Sequence, residues 1–249
     1  MLRENAILVS KTLAEVGRHI APGVTTRALD KLAETFIRDH GAEPAFLGYD
    51  GFPAALCISL NNVVVHGIPS DYALKEGDVV SVDCGTRYKG YYGDSAYTFG
   101  VGELAPEDQK LLRVTHDALF NGIAQAITGN RIGDISAAVQ NHVEQYGFSV
   151  VRKMVGHGIG AKLHEAPDVP NYGSQGRGKK LLNGMVLCIE PMINVGKSDV
   201  YLEQDGWTLQ TADHKNSAHF ELTVVVCGGE PEILSTFDFI DEYRNKYQA

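Results

Sequence analysis

The feature that most constrains the fold is an internal similarity between the two halves of the chain. A shift of 106 residues aligns the helical pattern at residues 23–41 with a second one at residues 129–147. A shift of 107 residues aligns EGDVVSVD (76–83) with NGMVLCIE (183–190), which places Asp83 on Glu190. The tripeptide His-Gly-Ile begins at His66 and again at His157. Because these segments keep the same order, we expect one domain of two similar α/β halves, residues 1–105 and 106–249, about a pseudo-twofold axis.

Local patterns predict the elements of each half. Helical periodicity is clearest at residues 3–19, 25–41, 106–127 and 133–147. Stretches rich in Val, Ile, Tyr and Thr predict strands at residues 56–67, 78–88, 91–100, 184–193 and 218–227. The glycine-rich segment VGHGIGAKLHEAP (155–167) has little reason to be either helix or strand.

Composition limits the class of protein. The formal charge of −9 and the lack of a Lys/Arg-rich block argue against direct nucleic-acid readout. No apolar run is long enough to cross a bilayer, so we expect no membrane span. The four cysteines form no CxxC pair, which predicts reduced thiols in a cytoplasmic protein.

Two aspartates stand on a predicted hairpin. If Lys89 and Gly90 form a two-residue turn, Gly85 opposes Asp94, and Asp83 shares the face of Asp94 as its diagonal neighbour. Diagonal neighbours on paired strands lie about 7 Å apart, a gap that a cation between two carboxylates fills. A slip of one residue would place the two aspartates on opposite faces.

Glu190 and Glu221 repeat this situation in the second half. Glu190 ends the apolar run MVLCI, and Glu221 opens ELTVVVC. An uncompensated buried carboxylate is costly, and the sequence supplies no basic residue close to these four acids. Two divalent ions balance four ionised carboxylates, whereas one ion leaves a charge of about −2 buried together. This count favours a dinuclear metal site.

His157 adds an imidazole to the oxygen donors, and this set suits Mn, Fe, Co or Zn without choosing among them. Gly156, Gly158 and Gly160 surround His157 and would let the backbone pass close to a ligand or substrate. A histidine between glycines is also common in ordinary loops, so the pattern alone leaves both interpretations open.

At these residues the sequence resembles the short type I methionine aminopeptidases of the pita-bread metallopeptidase family. The matching stretches run in the family's order from about residue 5 to about residue 235. They are HGIP (66–69), VDCG (82–85), GYYGDSAYTF (90–99), GHGIG (156–160), LHEAP (163–167), IEPM (189–192) and FELT (220–223). The resemblance implies an α+β pita-bread fold, with a central curved antiparallel sheet and helices outside it.

The resemblance also implies an activity. A hydrolase of this kind removes the N-terminal methionine from nascent proteins, preferring a small second residue, by a bridging hydroxide on a dinuclear metal centre. His66 and His164 would face the substrate as catalytic groups, and Glu190 would pass the proton of the attacking water to the departing amine. The implied ligands of the two divalent ions are Asp83, Asp94, His157, Glu190 and Glu221.

An apolar cavity for the methionine side chain is implied as well. Its lining, beside His66 and His164, would be Phe46, Tyr49, Phe52, Cys57, Leu163 and Trp207. Bacterial relatives often have Cys, Tyr and Phe where this chain has Phe46, Phe52 and Leu163, which keeps the pocket apolar and changes its shape. A monovalent-cation site near Asn61, Val63 and Ser217 is also suggested.

The implied partners follow from the activity. The substrate would be the N-terminal methionine of nascent polypeptides, the ribosome is a further candidate partner, and we expect a monomer. The nearest alternative is a prolidase or Xaa-Pro aminopeptidase, but those enzymes usually carry a large extra N-terminal domain that we do not expect here. The other is a pita-bread binding protein without catalysis, but such relatives have lost ligands or gained basic tails.

Overall fold

Five helices are present in the computed structural model, which describes residues 1–247. Four of them match the periodic stretches of the sequence, although the third ends at Ile123, four residues before its expected end. The fifth was not predicted, because its ten residues are too short and too charged to show a clear apolar period. The helices are α1 (Leu2–Gly17), α2 (Thr26–Asp39), α3 (Pro106–Ile123), α4 (Ile132–Glu144) and α5 (Asp238–Tyr247).

The strands are short apart from two. They are β1 (Glu43–Pro44), β2 (Leu56–Leu60), β3 (Val63–Val65), β4 (Val79–Tyr88), β5 (Tyr91–Gly100), β6 (Ser149–Val150), β7 (Gly156–Gly158), β8 (Glu165–Val169), β9 (Val186–Ile189), β10 (Met192–Asn194), β11 (Val200–Leu202), β12 (Leu209–Thr211), β13 (Ser217–His219), β14 (Leu222–Val225) and β15 (Glu232–Ile233). The expected strand at 56–67 is broken at Asn61, whose φ of 53° turns the chain, and the one at 184–193 is broken at Glu190 and Pro191.

Two larger sheets carry the site. In the first, β4 pairs with β5 along one edge and with β1 and β2 along the other. The second has the order β15-β14-β9-β7-β8. All these pairings are antiparallel. An isolated bridge between Ala96 of β5 and Glu221, just before β14, joins the two sheets. Two three-stranded sheets, β13-β10-β6 and β11-β12-β3, complete the architecture.

Element positions repeat at the shifts found in the sequence. Helix α2 begins at Thr26 and α4 begins at Ile132, which the shift of 106 residues aligns. Strand β4 begins at Val79 and β9 begins at Val186, which the shift of 107 residues aligns. The division into halves 1–105 and 106–249 of one domain stays a prediction.

The register of the β4–β5 hairpin is the predicted one. Tyr88 pairs with Tyr91 and Gly85 pairs with Asp94. Lys89 and Gly90 have φ values of 53° and 80°, which are the left-handed conformations that a two-residue type I′ turn requires. The shared face of Asp83 and Asp94 is therefore confirmed.

Alternation along the strands separates the core from the site. On β4, Val80, Val82 and Cys84 belong to the main hydrophobic core, together with residues of α1 and α2. Helix α1 packs against both β4 and β5. Since neighbouring side chains point to opposite faces, Asp83 faces away from this core. On β14 the core residues are Leu222 and Val224, so Glu221 has the same orientation as Asp83.

The segment 155–167 corrects an expectation, since it contains β7 and the start of β8. Its glycines leave room for the backbone of the neighbouring strands. A Cβ at Gly156 would lie 2.3 Å from the carbonyl oxygen of Cys188 on β9, and one at Gly158 would lie 2.7 Å from that of Ala166 on β8. The glycines therefore allow strands to approach each other closely, and His157 lies within the sheet as a result.

Gly156→Ala is expected to lower the free energy of unfolding by about 1–3 kcal/mol, because the added methyl group overlaps a backbone oxygen of β9. Urea denaturation of the two proteins measures this difference. Gly229→Ala is the matched control, since a Cβ at Gly229 meets no atom within 4 Å. Equal stability of wild type and Gly156→Ala would contradict the packing described here.

Two further expectations concern cysteines and membranes. Cys57, Cys84 and Cys188 are buried and, like the partly exposed Cys227, free of disulfides, as predicted. Within residues 1–247 no helix has both the length and the apolar character needed to cross a membrane.

Candidate metal centre and its cavity

Five strands or strand ends bring the predicted metal ligands together. Asp83 lies on β4, Asp94 on β5 and His157 on β7, while Glu190 follows β9 and Glu221 precedes β14. His157 pairs with Cys188, and Ile189, next to Glu190, pairs with Leu222, next to Glu221. The alternation along β4 and β14 aims Asp83 and Glu221 away from the main core.

Distances within the cluster are short. His157 Nε2 lies 3.8 Å from Asp94 Oδ2 and 3.6 Å from Glu190 Oε1. Four residues each place one possible ligand atom within 4.8 Å of the other three. They are Asp94, His157, Cys188 and Glu221. Both Asp94 and Glu221 are buried.

Unpaired oxygens test whether these residues fit a cation. Asp83 Oδ1, Asp94 Oδ1 and Glu221 Oε1 are fully buried and accept no hydrogen bond. A buried carboxylate oxygen without a donor is rare, because its lost hydration costs several kcal/mol. Divalent cations satisfy such oxygens without protons, so the donor set fits metal ions.

Burial and the closeness of the carboxyl groups to one another raise their pKa values. Burial raises the pKa of Asp83 to about 6. The pKa values of Asp94, Glu190 and Glu221 are raised well above their usual range, first by burial and then by the charge of neighbouring carboxylates. Four carboxyl groups therefore share a space where they cannot all ionise without a counter-charge.

The pKa values of the histidines are shifted in the opposite direction, downward. Burial lowers the pKa of His157 to about 4 and that of His66 to about 4. It also lowers the pKa of His164. The three imidazoles are therefore neutral near pH 7, which is the form that coordinates metals and forms neutral hydrogen bonds.

The raised carboxyl pKa values predict that the metal-free protein loses stability as pH rises from about 7.5 to 8.5. In this window Asp94, Glu190 and Glu221 hold more protons in the folded than in the unfolded chain, so raising the pH favours unfolding. The histidines are largely neutral in both states above about pH 7.5 and do not oppose the effect there. Thermal unfolding of chelator-treated protein measures it, and adding a divalent metal is expected to flatten the dependence. A metal-free protein whose Tm rises across this range would contradict the argument.

Two neighbours of the cluster were not predicted from the sequence. No basic residue was expected close to the acids, but His219, 2% exposed, places Nε2 3.6 Å from Glu190 Oε2. Cys188 is the other, and burial raises the pKa of its thiol, which stays protonated at neutral pH. Period-two alternation is the signal that could have found them, because each lies two residues before a predicted glutamate ligand.

A cavity of about 120 Å³ opens onto the cluster. The structure brings all the predicted ligand, catalytic and methionine-pocket residues to its wall. They are Phe46, Tyr49, Phe52, Cys57, His66, Asp83, Asp94, His157, Leu163, His164, Glu190, Trp207 and Glu221. A second cavity of about 310 Å³ shares five of these residues and extends past Met154, Asp168 and His219.

Aromatic side chains form one end of the smaller cavity. The rings of Phe52 and Trp207 meet edge to face with centroids 5.1 Å apart, and His66 lies 6.4 Å from Trp207. Phe46, Phe52, Cys57 and Leu163 belong to one buried hydrophobic cluster. This part of the cavity wall is therefore apolar, while the acids line another part of it.

The predicted monovalent-cation residues lie outside this wall. Ser217 N donates to the carbonyl oxygen of Asn61 at 2.8 Å, so the structure brings these two residues together. Asn61 Nδ2 also donates to Asp78 Oδ1 at 3.0 Å. Val63 begins β3, two residues after Asn61.

A profile of metallopeptidase family M24 matches residues 1–227. The chain belongs to this family. Within the family it is 52% identical to a methionine aminopeptidase of Clostridium perfringens over 94% of both chains. The structure of methionine aminopeptidase from Rickettsia prowazekii superposes with a TM-score of 0.93 at 42% identity, covering 94% of this chain and 95% of that one.

More distant structures share the fold alone. Prolidase from Pyrococcus horikoshii OT3 is 21% identical with a TM-score of 0.76, and the match covers 94% of this chain and 60% of that one. The α+β pita-bread fold expected from the resemblance is confirmed, and so is the similarity to methionine aminopeptidases rather than to prolidases.

Proposed function

We propose that the chain is a metal-dependent methionyl aminopeptidase, which removes N-terminal methionine from nascent polypeptides and prefers a small second residue. The observation that carries this proposal is the 52% identity to the Clostridium perfringens methionine aminopeptidase over 94% of both chains. The buried cluster of Asp94, His157 and Glu221 supports it, because its unsatisfied oxygens suit divalent ions.

In this proposal Asp83, Asp94, His157, Glu190 and Glu221 would hold two divalent ions. Two ions balance the four carboxylates, whereas one ion leaves an excess of negative charge in a buried site. Ions in such a site supply a nucleophilic water at neutral pH and polarise the scissile carbonyl. Fe, Mn, Co and Zn all suit this donor set.

The remaining steps belong to side chains. His164 donates a hydrogen bond to the carbonyl oxygen of the first peptide bond, which stabilises negative charge as it grows there. His66 lies near the scissile amide. Glu190 accepts a proton from the attacking water and returns it to the departing amine.

The methionine side chain occupies the apolar end of the cavity, against Phe46, Phe52, Cys57, Leu163 and Trp207. The support is their common hydrophobic cluster, with Trp207 packed at its edge. Tyr49 also lines this cavity. Aromatic and thiol surfaces suit a flexible thioether, because sulfur packs well against rings.

Further parts of the proposal concern the setting of the enzyme. We expect a monomer that acts in the cytoplasm on chains emerging from the ribosome, and the free cysteines fit a reducing compartment. A monovalent cation near Asn61, Val63 and Ser217 would join the turn at Asn61 to β13.

Peptide selectivity tests the proposal. Purified protein loaded with Mn²⁺ or Co²⁺ is expected to cleave Met-Gly peptides and to leave Xaa-Pro peptides uncleaved. A preference for Xaa-Pro would instead identify a prolidase or Xaa-Pro aminopeptidase. No cleavage of either peptide with any of the four metals would favour a binding protein.

Chelation tests the metal requirement. Prolonged treatment with EDTA is expected to abolish Met-Gly cleavage, and readdition of the divalent metal is expected to restore it. Titration of the metal-free protein, followed by calorimetry and elemental analysis, should give two ions per chain. Full activity after verified removal of all divalent metal would defeat the mechanism.

A further inference from the structure

We infer that Tyr49 is a positioning residue for His164, whose Nδ1 it occupies so that the ring proton stands on Nε2. The inference rests on the proposed function, in which His164 donates to the substrate carbonyl. It adds a role for Tyr49 that differs from lining the methionine pocket.

The contact itself is a hydrogen bond between two side chains at the mouth of the cavity. Tyr49 Oη lies 2.9 Å from His164 Nδ1, a normal distance for such a bond. The rings meet edge to face, with centroids 5.3 Å apart and an interplanar angle of 67°. Tyr49 is 37% exposed, so it stands at the rim and not within the buried apolar cluster.

Proton positions follow from the states of the two groups. Burial, with smaller contributions from Asp50 and Tyr92, raises the pKa of Tyr49, so its phenol keeps the proton at neutral pH and can donate it. A neutral imidazole has one N–H and one acceptor nitrogen. When the phenol donates to Nδ1, the imidazole proton must stand on Nε2, at the other edge of the ring.

The backbone fixes Tyr49 in place. Gly48 and Asp50 have φ values of 83° and 47°, so left-handed residues flank Tyr49 on both sides. Hydrogen bonds close the turn, since Gly48 N donates to Phe52 O and Phe52 N donates to Tyr49 O, both at 2.8 Å. A non-glycine residue such as Asp50 stays in this conformation only where the surrounding structure holds it.

His157 also packs against the His164 ring. The two imidazoles meet edge to face with centroids 4.4 Å apart. His164 thus lies between a phenol that occupies Nδ1 and a proposed metal ligand. Turning the ring over would place Cδ2 where Nδ1 now stands and would break the bond to Tyr49, so the phenol selects both the tautomer and the orientation.

Two substitutions separate this role from simple packing. Tyr49→Phe keeps the ring and removes the hydroxyl, and it is expected to lower kcat for a Met-Gly peptide about 10-fold while KM changes less than about twofold. Tyr49→Ala also removes the ring and is expected to raise KM in addition. Tyr146→Phe is the matched control, because Tyr146 is 39% exposed and lines neither cavity.

A spectroscopic measurement reads the tautomer without activity. The chain has nine histidines, and their ¹⁵N-labelled side chains can be recorded in the metal-free protein, with the His164 signals assigned from a His164→Gln sample. Wild type is expected to show the Nε2–H tautomer at His164, and Tyr49→Phe is expected to shift those signals toward a mixture of tautomers. Tyr146→Phe should leave them unchanged.

Either of two results would overturn the inference. One is an Nδ1–H tautomer at His164 in the wild type, and the other is a Tyr49→Phe variant with wild-type kcat and unchanged His164 signals. Both leave the proposed function standing if the wild type cleaves Met-Gly peptides. A wild type that fails to cleave them would defeat the proposed function, while the ¹⁵N measurement would still decide the tautomer.

Discussion

Replacing Asp94 with Asn is expected to lower kcat/KM for a Met-Gly peptide by on the order of 10³-fold, about 4 kcal/mol of transition-state stabilisation. Asp94 is a proposed ligand of the ions, and its carboxylate lies 3.8 Å from His157 Nε2. Asparagine keeps the shape and loses the charge and one oxygen donor. Elemental analysis after dialysis is expected to show fewer than two divalent ions per chain.

Stability distinguishes this loss from misfolding. The pKa of Asp94 is raised well above its usual range by burial and by Glu221, so its ionisation destabilises the metal-free fold at neutral pH. Asn at this position is therefore expected to raise or preserve the Tm of the metal-free protein near pH 8. Asp39→Asn, an exposed substitution at the end of α2, controls for the change in net charge. If Asp94→Asn instead lowers the metal-free Tm by many degrees, Asp94 is a structural residue and the metal assignment loses its support.

Glu190→Gln is expected to have the second largest effect, a fall in kcat of about 10²–10⁴-fold with a much smaller change in KM. Glutamine keeps an oxygen donor toward the neighbouring groups but cannot accept and return a proton. Glu190 lies within the cluster of proposed ligands. Its Oε1 is 3.6 Å from His157 Nε2, and its Oε2 is 3.6 Å from His219 Nε2. Steady-state kinetics of Met-Gly cleavage in excess metal measure the effect.

The split between kcat and KM carries the test for Glu190. A variant with wild-type kcat and a raised KM would show that Glu190 only holds substrate or metal, and that another group moves the proton. Glu144→Gln, at the exposed end of α4, is the matched control and is expected to leave both constants unchanged.

The sequence was sufficient to predict those parts of the structure that are determined by residues close together in the chain. The register of β4 and β5 follows from the two-residue turn at Lys89 and Gly90, and this register places Asp83 and Asp94 on one face. The helices α1, α2 and α4 follow from apolar periodicity, since each buries one face against the core.

The features that were missed depend on long-range contacts. Strand β7 consists of Gly156, His157 and Gly158, which carry no alternating apolar pattern, and it exists because β8 and β9 pair with it. The bond between Tyr49 and His164 spans 115 residues and depends on a turn with unusual backbone angles. The sequence contains both residues but no local signal of their contact.

The bridge between Ala96 and Glu221 has a consequence for synthesis of the chain. Asp83 and Asp94 leave the ribosome more than 120 residues before Glu221. Until that late segment docks beside β5, the early carboxylates lack their proposed counterparts and cannot enclose a pair of ions. Metal uptake should therefore report completed folding, and a chain truncated before residue 221 should emerge without enzymatic competence however well its first half is formed.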